Sequence, residues 1–134
     1  MDEEKARQEI IKALERFYDA FSHEDYGPYV LSCLDKDVIW HIAGDNPLAR
    51  DVVGAAAVVE RMREYGKRSK QTLNLKTSLT ATATHGIAVH EATAQNDGFE
   101  YRAHEIDVFH IHDGRITEFW SFSEDQKATD RMWS

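Results

Sequence analysis

The sequence feature that most constrains the fold is a change in the spacing of apolar residues at Gly66. Before this glycine, apolar residues recur at helical spacing, and after it they alternate with polar residues, as in half-buried strands. Turn signals at Asn96-Asp97-Gly98 and at Asp113-Gly114 divide the second half into long strands. Helices followed by a meander of strands predict an α+β fold, with the helices covering one face of an antiparallel sheet.

The same patterns predict the order of elements. Helices are expected at residues 4–21, from Pro28 onward and at 52–65, with Gly66 as the stop of the third helix. Strands are expected at 38–42, 71–84, 87–95, 99–112 and 116–122, with a tight turn at His85-Gly86 and a short helix within 124–133. Long strands bend strongly, so we expect a cone-shaped, curved sheet packed on about three helices. The 134 residues are expected to form one domain, 1–134.

Composition narrows the class of function. The chain has 16 basic and 24 acidic residues, a net charge of −8, which argues against nucleic acid as a partner. The single cysteine, Cys33, cannot form an intramolecular disulfide and suits a reducing compartment. The sequence starts without the apolar core of a secretion signal, and no apolar run is long enough to span a bilayer. We therefore expect a cytoplasmic protein with no nucleic acid and no membrane as a partner.

The most informative strand is 99–112, because its odd positions are the more apolar and should face the helices. Glu105 and Asp107 lie in the middle of that face. A buried carboxylate is costly unless it is paired, hydrogen-bonded or protonated, and such residues concentrate in functional pockets. The structural alternative is a twist that returns one of them to solvent, or a buried ion pair with Arg50 or Arg102.

His41 is the second candidate functional residue. It lies at the end of strand 38–42, just before a loop rich in turn-forming residues, where it suits the mouth of a pocket. An imidazole can take or give a proton near neutral pH. The alternative is a histidine that is hydrogen-bonded to nearby backbone.

Three other histidines, His104, His110 and His112, share one face of strand 99–112 and raise the question of a metal. At about 3.3 Å per residue, His104 and His112 lie about 26 Å apart on an extended strand, too far for one ion. The sequence also lacks the glycine-rich turn that nucleotide cofactors need. We expect no metal and no organic cofactor.

Several segments carry a family resemblance: Trp40-His41-Ile42-Ala43-Gly44, Asn46-Pro47-Leu48, Gly54, Glu118-Phe119-Trp120 and Asp125-Gln126. Over nearly its whole length the chain resembles the SnoaL-like family of the nuclear-transport-factor-like superfamily, which includes ketosteroid isomerases, polyketide cyclases and limonene epoxide hydrolases. The resemblance implies an α+β cone with an apolar pocket, frequently in a homodimer. It also implies that Asp107 matches the protonated oxyanion-hole aspartate of the steroid isomerases, whose general base falls near His41.

Together these observations predict a pocket protein that binds a small, largely apolar molecule. The reaction class expected for such a pocket is isomerisation, cyclisation or hydration, with His41 as the proton acceptor and Asp107 as a neutral donor or a partner that orients His41. The expected pocket lining is Phe17, Tyr18, Trp40, Tyr101, Glu105, Phe109 and Trp120. The alternative function is a non-catalytic ligand-binding or dimerisation module. A homodimer is expected through the outer sheet face, where Ile106 and Val108 form an apolar pair.

Overall fold

The computed structural model describes residues 2–134. Within this range the helices are α1 (Glu3–Asp19), α2 (Gly27–Leu31), α3 (Ala55–Arg68) and α4 (Gln126–Trp133), with one short 3-10 turn at Ala20–Ser22. The strands are β1 (Leu34–Ile42), β2 (Asp51–Val53), β3 (Asn74–Ala81), β4 (His85–Asn96), β5 (Phe99–His112) and β6 (Arg115–Ser123). The predicted α+β class is confirmed.

The six strands form one curved, unclosed sheet in the order β2-β1-β6-β5-β4-β3. All neighbours are antiparallel except β1 and β6, which run parallel, and this pair forms between the first strand and the last strand of the chain. The sheet is therefore mixed, whereas the sequence predicted an antiparallel one. Periodicity identifies strands but does not identify their neighbours.

The two hairpins of the meander are closed by the expected turns. Asp97 and Gly98 have φ of 46° and 82°, and Asp113 and Gly114 have φ of 50° and 75°. Positive φ at both central residues is the type I′ geometry, whose twist matches that of the flanking strands. These turns fix the register in which β5 pairs with β4 and β6.

Two glycines have roles that differ from the predicted ones. Gly66 lies inside α3, which continues to Arg68, and the segment just before α3 forms the short strand β2. Gly86 lies in β4 and not in a turn, and a Cβ there would come within 2.7 Å of the Leu14 side chain. The glycine thus lets α1 approach the sheet closely.

The helices cover the inner face of the sheet. Leu14 and Phe17 of α1 are buried in one apolar cluster with Phe109 and Phe119 of the sheet. A second cluster joins α4 to the far end of β5, and includes Trp133 and Tyr101. A cavity remains between these two packed regions. In residues 2–134, no helix combines the length and the apolar character needed to cross a membrane.

Candidate functional site

The cavity encloses about 680 Å³ between the inner face of the sheet and helices α1, α3 and α4. Its walls are mostly aromatic, and include Phe17, Trp40, Tyr65, Phe119 and Trp133. Strands of the sheet contribute the polar residues Thr77, His90, Glu105, Asp107 and Ser121 to the wall, and α1 contributes Tyr18. An apolar cavity with a few convergent polar groups is the usual form of a small-molecule site.

Strand register brings the polar residues together. Asp107 of β5 is paired with Ser121 of β6, and Glu105 is paired with His90 of β4. Residues two apart on a strand share a face, so both carboxylates point to the same side of the sheet. The residue of β4 that pairs with Asp107 is Ala88, and its small side chain leaves room for groups from α1.

We call Tyr18, Thr77, His90, Asp107 and Ser121 the inner cluster, because they form one hydrogen-bonded group on the cavity wall. Asp107 Oδ2 lies 2.8 Å from the Tyr18 hydroxyl and 2.8 Å from His90 Nε2, and its Oδ1 accepts from Ser121 Oγ at 2.6 Å. His90 Nδ1 lies 2.8 Å from Thr77 Oγ1. When His90 carries its proton on Nε2, three donors point at one carboxyl group.

This geometry fits an ionised Asp107, because a carboxylate accepts hydrogen bonds at both oxygens and donates none. Tyr18 is a donor for the same reason. With the other tautomer of His90, a protonated Asp107 can donate to Nε2, so the expectation that Asp107 is a neutral donor stays a prediction. Burial raises the pKa of the Tyr18 phenol well above its usual value, and the negative charge of Asp107 raises it further.

Glu105 lies beside the inner cluster with a different environment. Its Oε2 accepts a 2.6 Å hydrogen bond from the Tyr101 hydroxyl, which also contacts Thr129 of α4. Burial raises the pKa of Glu105, the hydrogen bond from Tyr101 lowers it, and the negative charge of Asp107 raises it again. The predicted alternative, an ion pair with an arginine, does not occur among the described residues: the guanidinium of Arg50 donates to the backbone of Pro47, and Arg102 is exposed.

His41 lies on the opposite face of the sheet. Trp40 and Ile42 line the cavity, so the alternation of the strand turns His41 outward. Its Nε2 lies 2.6 Å from Glu118 and its Nδ1 lies 2.8 Å from Asp51. The prediction that His41 and Asp107 share one cavity, with His41 as its proton acceptor, is wrong.

His41 belongs instead to an outer cluster, which we define as His41, Asp51, Glu118, His110 and His85. His110 lies 3.8 Å from Glu118 and its Nε2 is 2.8 Å from that of His85. The hydrogen bond to Glu118 raises the pKa of His41 against the opposing effect of burial, and Asp51 adds to the rise. An imidazole between two carboxylates on an outer face is the arrangement of a surface ion pair when the imidazole is protonated.

The expected pocket lining is distributed over three places. Phe17, Tyr18, Trp40 and Glu105 line the cavity. Tyr101 and Phe109 are buried behind its wall in the two apolar clusters, where Tyr101 holds Glu105 in position. Trp120 lies on the outer face, where it stacks on His41 at 5.1 Å between ring centroids. Trp120 and Ser121 are adjacent in sequence, and because side chains alternate along a strand they lie on opposite faces of the sheet.

Sequence reasoning missed His90, which is fully buried in the wall of the cavity. On β4 the strongly apolar residues Ile87 and Val89 face outward, while Ala88, His90 and Ala92 face inward. The face with the smaller, less hydrophobic side chains is the buried one, because small residues let α1 come close to the sheet. The signal that could have identified His90 was a histidine among alanines on a strand that pairs it with Glu105.

Metal-binding groups do not converge in the part of the chain that the structure describes. Among residues 2–134, no set of three or more histidine, cysteine, aspartate or glutamate side chains is arranged to hold an ion. His104 instead contacts Glu124, and His112 contacts Asp113. The expected absence of a metal and of a cofactor stays a prediction.

The fold and the cavity define a class of small pocket proteins, and comparison with known families gives the class. A model of the SnoaL-like domain matches residues 14–119. The chain belongs to the SnoaL-like domain family, as its sequence resemblance suggested. No curated protein matches the chain.

Solved structures show the same fold. Bal32a, from a soil-derived mobile gene cassette, has a TM-score of 0.89 at 22% identity, covering 96% of this chain and 99% of its own. A Xanthomonas campestris protein of unknown function with a cystatin-like fold has a TM-score of 0.85 at 24% identity, covering 93% and 98%. TerC, co-crystallised with polyporic acid, has a TM-score of 0.79 at 16% identity, covering 92% and 97%. At these identities the likeness establishes the fold alone.

Proposed function

We propose that the protein binds a small, largely apolar molecule in the cavity and transfers a proton on it with the inner cluster. The observation that carries this proposal is the carboxyl group of Asp107, whose oxygens lie 2.6–2.8 Å from Tyr18, His90 and Ser121 on the wall of an aromatic cavity. Cofactor-independent proton transfer needs a positioned base, and the contacts of Asp107 with three side chains hold its carboxyl group in one orientation. The co-crystallisation of TerC with polyporic acid supports small-molecule binding by a protein of this fold.

In this proposal Asp107 takes a proton from a carbon next to a carbonyl group, and negative charge develops on the carbonyl oxygen. Once Asp107 is protonated, it needs fewer hydrogen bonds. The Tyr18 hydroxyl is then free to donate to the developing oxyanion, and its raised pKa keeps it protonated for that role. Return of the proton from Asp107 to another carbon completes an isomerisation. In a cyclisation, the enolate carbon attacks a second carbonyl carbon of the same molecule, and the resulting alkoxide takes the proton from Asp107.

His90 is a positioning residue in this scheme. Both of its ring nitrogens have partners, Thr77 and Asp107, and the side chain is buried. It therefore acts by fixing the orientation of Asp107. Ser121 acts in the same way from the other side, since its hydroxyl accepts from Trp40 Nε1 at 2.8 Å while it donates to Asp107.

The test uses 2-tetralone, an apolar ketone with acidic carbon-bound protons, in heavy water. Wild-type protein is expected to catalyse deuterium incorporation next to the carbonyl, as followed by proton NMR. Asp107→Asn should lower the rate by about 100-fold or more, the usual contribution of a general base. His41→Gln is the matched control and should keep the wild-type rate, because His41 lies on the other face of the sheet. Equal rates for wild type and Asp107→Asn would refute the proposal.

A non-catalytic binding protein is the second candidate, and one observation favours it. Both oxygens of Asp107 already have donors within the protein, so the inner cluster can serve packing alone. The same assay separates the two functions. Saturable binding of 2-tetralone without any exchange above the rate in buffer would establish the binding function.

We also propose that a second copy of the chain covers the outer face of the sheet. Val89, Ile106 and Phe122 are in register across three strands, and Val89 and Phe122 are exposed. Val108 and Trp120 extend this apolar patch by one row. Light scattering at about tens of micromolar should give the mass of a dimer, and Phe122→Asp should give a monomer, because a charge at the centre of an apolar contact is desolvated. A monomeric wild type would exclude the homodimer.

A further inference from the structure

The charge of the cavity wall indicates which ligands it can accept. Two carboxyl groups and one histidine line it, and in the described part of the chain no lysine or arginine does. The whole chain carries a net charge of −8, so the surrounding field has the same sign. Such a site disfavours carboxylates and phosphates, and it attracts cations.

The two carboxyl groups are not equivalent. Asp107 is occupied by the inner cluster at both oxygens. Glu105 uses Oε2 for Tyr101, whereas no side chain within residues 2–134 donates to Oε1. Because no buried side-chain oxygen in that range lacks a partner, Oε1 is reached from the cavity. Glu105 therefore presents one unused acceptor to a ligand.

Aromatic rings line the same cavity as this acceptor. Trp40 and Tyr65 lie 5.9 Å apart between ring centroids, Tyr65 and Trp133 lie 4.6 Å apart, and all three line the cavity. Burial chiefly raises the pKa of the Tyr65 phenol, the positive charges of Arg61 and Arg68 lower it, and the negative charges of Glu105 and Asp107 raise it. The aromatic wall is thus within the field of the carboxylates. Rings beside a carboxylate form the usual environment for an ammonium group.

We propose that the ligand of this cavity carries a protonated amine, which binds at Glu105 Oε1 between the aromatic rings of Trp40, Tyr65 and Trp133. The inference rests on the proposed small-molecule function and adds the substrate class. A neutral hydroxyl can also donate to Oε1, but it leaves the negative charge of a half-buried carboxylate uncompensated. An ammonium group neutralises that charge and gains cation–π attraction from the rings.

Three naphthalene probes of the same shape test the proposal by calorimetry at pH 7: 2-(aminomethyl)naphthalene, 2-naphthalenemethanol and 2-naphthoate. The amine should bind about tenfold more tightly than the alcohol, from cation–π attraction and charge compensation in a partly desolvated site. The carboxylate should bind most weakly. The comparison on wild-type protein decides the matter even if a variant fails to fold.

Glu105→Gln should remove most of the preference for the amine, while its amide oxygen still accepts from Tyr101. Glu91→Gln, an exposed glutamate on the outer face, makes the same change in net charge and should keep the preference. If the alcohol binds as tightly as the amine, or if Glu105→Gln keeps the wild-type ratio, the amine inference fails while the binding cavity stands. If none of the three probes binds, the amine inference fails, and the exchange assay with 2-tetralone decides the proposed function separately.

Discussion

The two faces of one sheet carry histidine–carboxylate contacts of equal length in opposite surroundings. His90 Nε2 lies 2.8 Å from Asp107 in the inner cluster, and His41 Nδ1 lies 2.8 Å from Asp51 in the outer cluster. The side chains of the inner pair are 2% and 17% exposed, and those of the outer pair are 26% and 64% exposed. Because water screens the outer pair and not the inner one, the two contacts differ in energy and in chemical use.

The comparison teaches that hydrogen-bond distance alone does not identify a functional histidine. The outer cluster has the shorter contact, 2.6 Å between His41 and Glu118, yet it opens onto solvent. The inner cluster adjoins an enclosed volume in which a ligand can replace water. Desolvation of the inner carboxylate costs free energy of folding. Carboxylates that carry such a cost are concentrated in functional cavities.

The largest expected difference between the clusters is in stability. His90→Ala should lower the free energy of unfolding by about 3 kcal/mol or more, because it leaves Asp107 buried with fewer partners. His41→Ala should lower it by no more than about 1 kcal/mol, the usual value of an exposed ion pair. Urea unfolding followed by circular dichroism measures both. Equal losses for the two variants would mean that the two environments do not differ as described.

A smaller effect is expected from Asp107→Asn. The asparagine amide keeps one acceptor oxygen but turns a donor toward groups that donated to the carboxylate. We expect a loss of about 1–3 kcal/mol at pH 7, the cost of mismatched buried hydrogen bonds. The same urea measurement applies. Wild-type stability in this variant would indicate that Asp107 is protonated in the native protein and donates a hydrogen bond.

Glu105 should make the protein less stable as pH rises. Burial raises its pKa in the folded state above the ordinary value of 4.5, so the native protein binds a proton more tightly than the unfolded chain does. The favourable contribution is complete below pH 4.5 and is lost as pH rises through the folded-state pKa. Glu105→Gln should therefore gain stability relative to wild type between pH 4.5 and neutral pH. A constant difference across that range would contradict the raised pKa.

His41 should show the smallest effect of pH on stability. Its contribution also falls as pH rises, as for Glu105, but the cause is a hydrogen bond to a carboxylate and not burial. The hydrogen bond to Glu118 raises its pKa above 6.5, so the ion pair stabilises the fold fully below pH 6.5 and is lost as pH rises through the folded-state pKa. The stability difference between wild type and His41→Gln should shrink between pH 6 and pH 9, by no more than about 1 kcal/mol. A difference that grows with pH would contradict the assigned ion pair.

Much of the fold could be predicted from the sequence, because turn residues and the spacing of apolar residues are visible within short stretches of the chain. The bounds of β5 were predicted as they occur, since the glycine turns on both sides fix its ends. The parallel pairing of β1 with β6 was not accessible. It depends on which strand the chain meets after the meander, and no local pattern encodes that contact.

About half of the candidate site could be predicted from the sequence. The alternation of side chains along a strand explains both the correct and the incorrect assignments. Asp107 and Glu105 were found because carboxylates interrupt an apolar face of a long strand. His41 was assigned to the cavity from its position at the end of a strand, just before a turn-rich loop, although Trp40 beside it lines the cavity and alternation turns His41 outward. His90 was missed because alanines mark the inner face of β4 only when the close approach of α1 is known.

Histidine resonances offer the most direct test of which cluster belongs to the functional site. The ring carbon–proton signals of His90, His41 and His110 can be followed by NMR while 2-tetralone is added to the protein. Because His90 lines the cavity and the other two lie on the outer face, binding should shift the His90 signal and leave those of His41 and His110 in place. Shifts at His41 or His110 with an unchanged His90 would place the binding site on the outer face and contradict the assignment to the cavity.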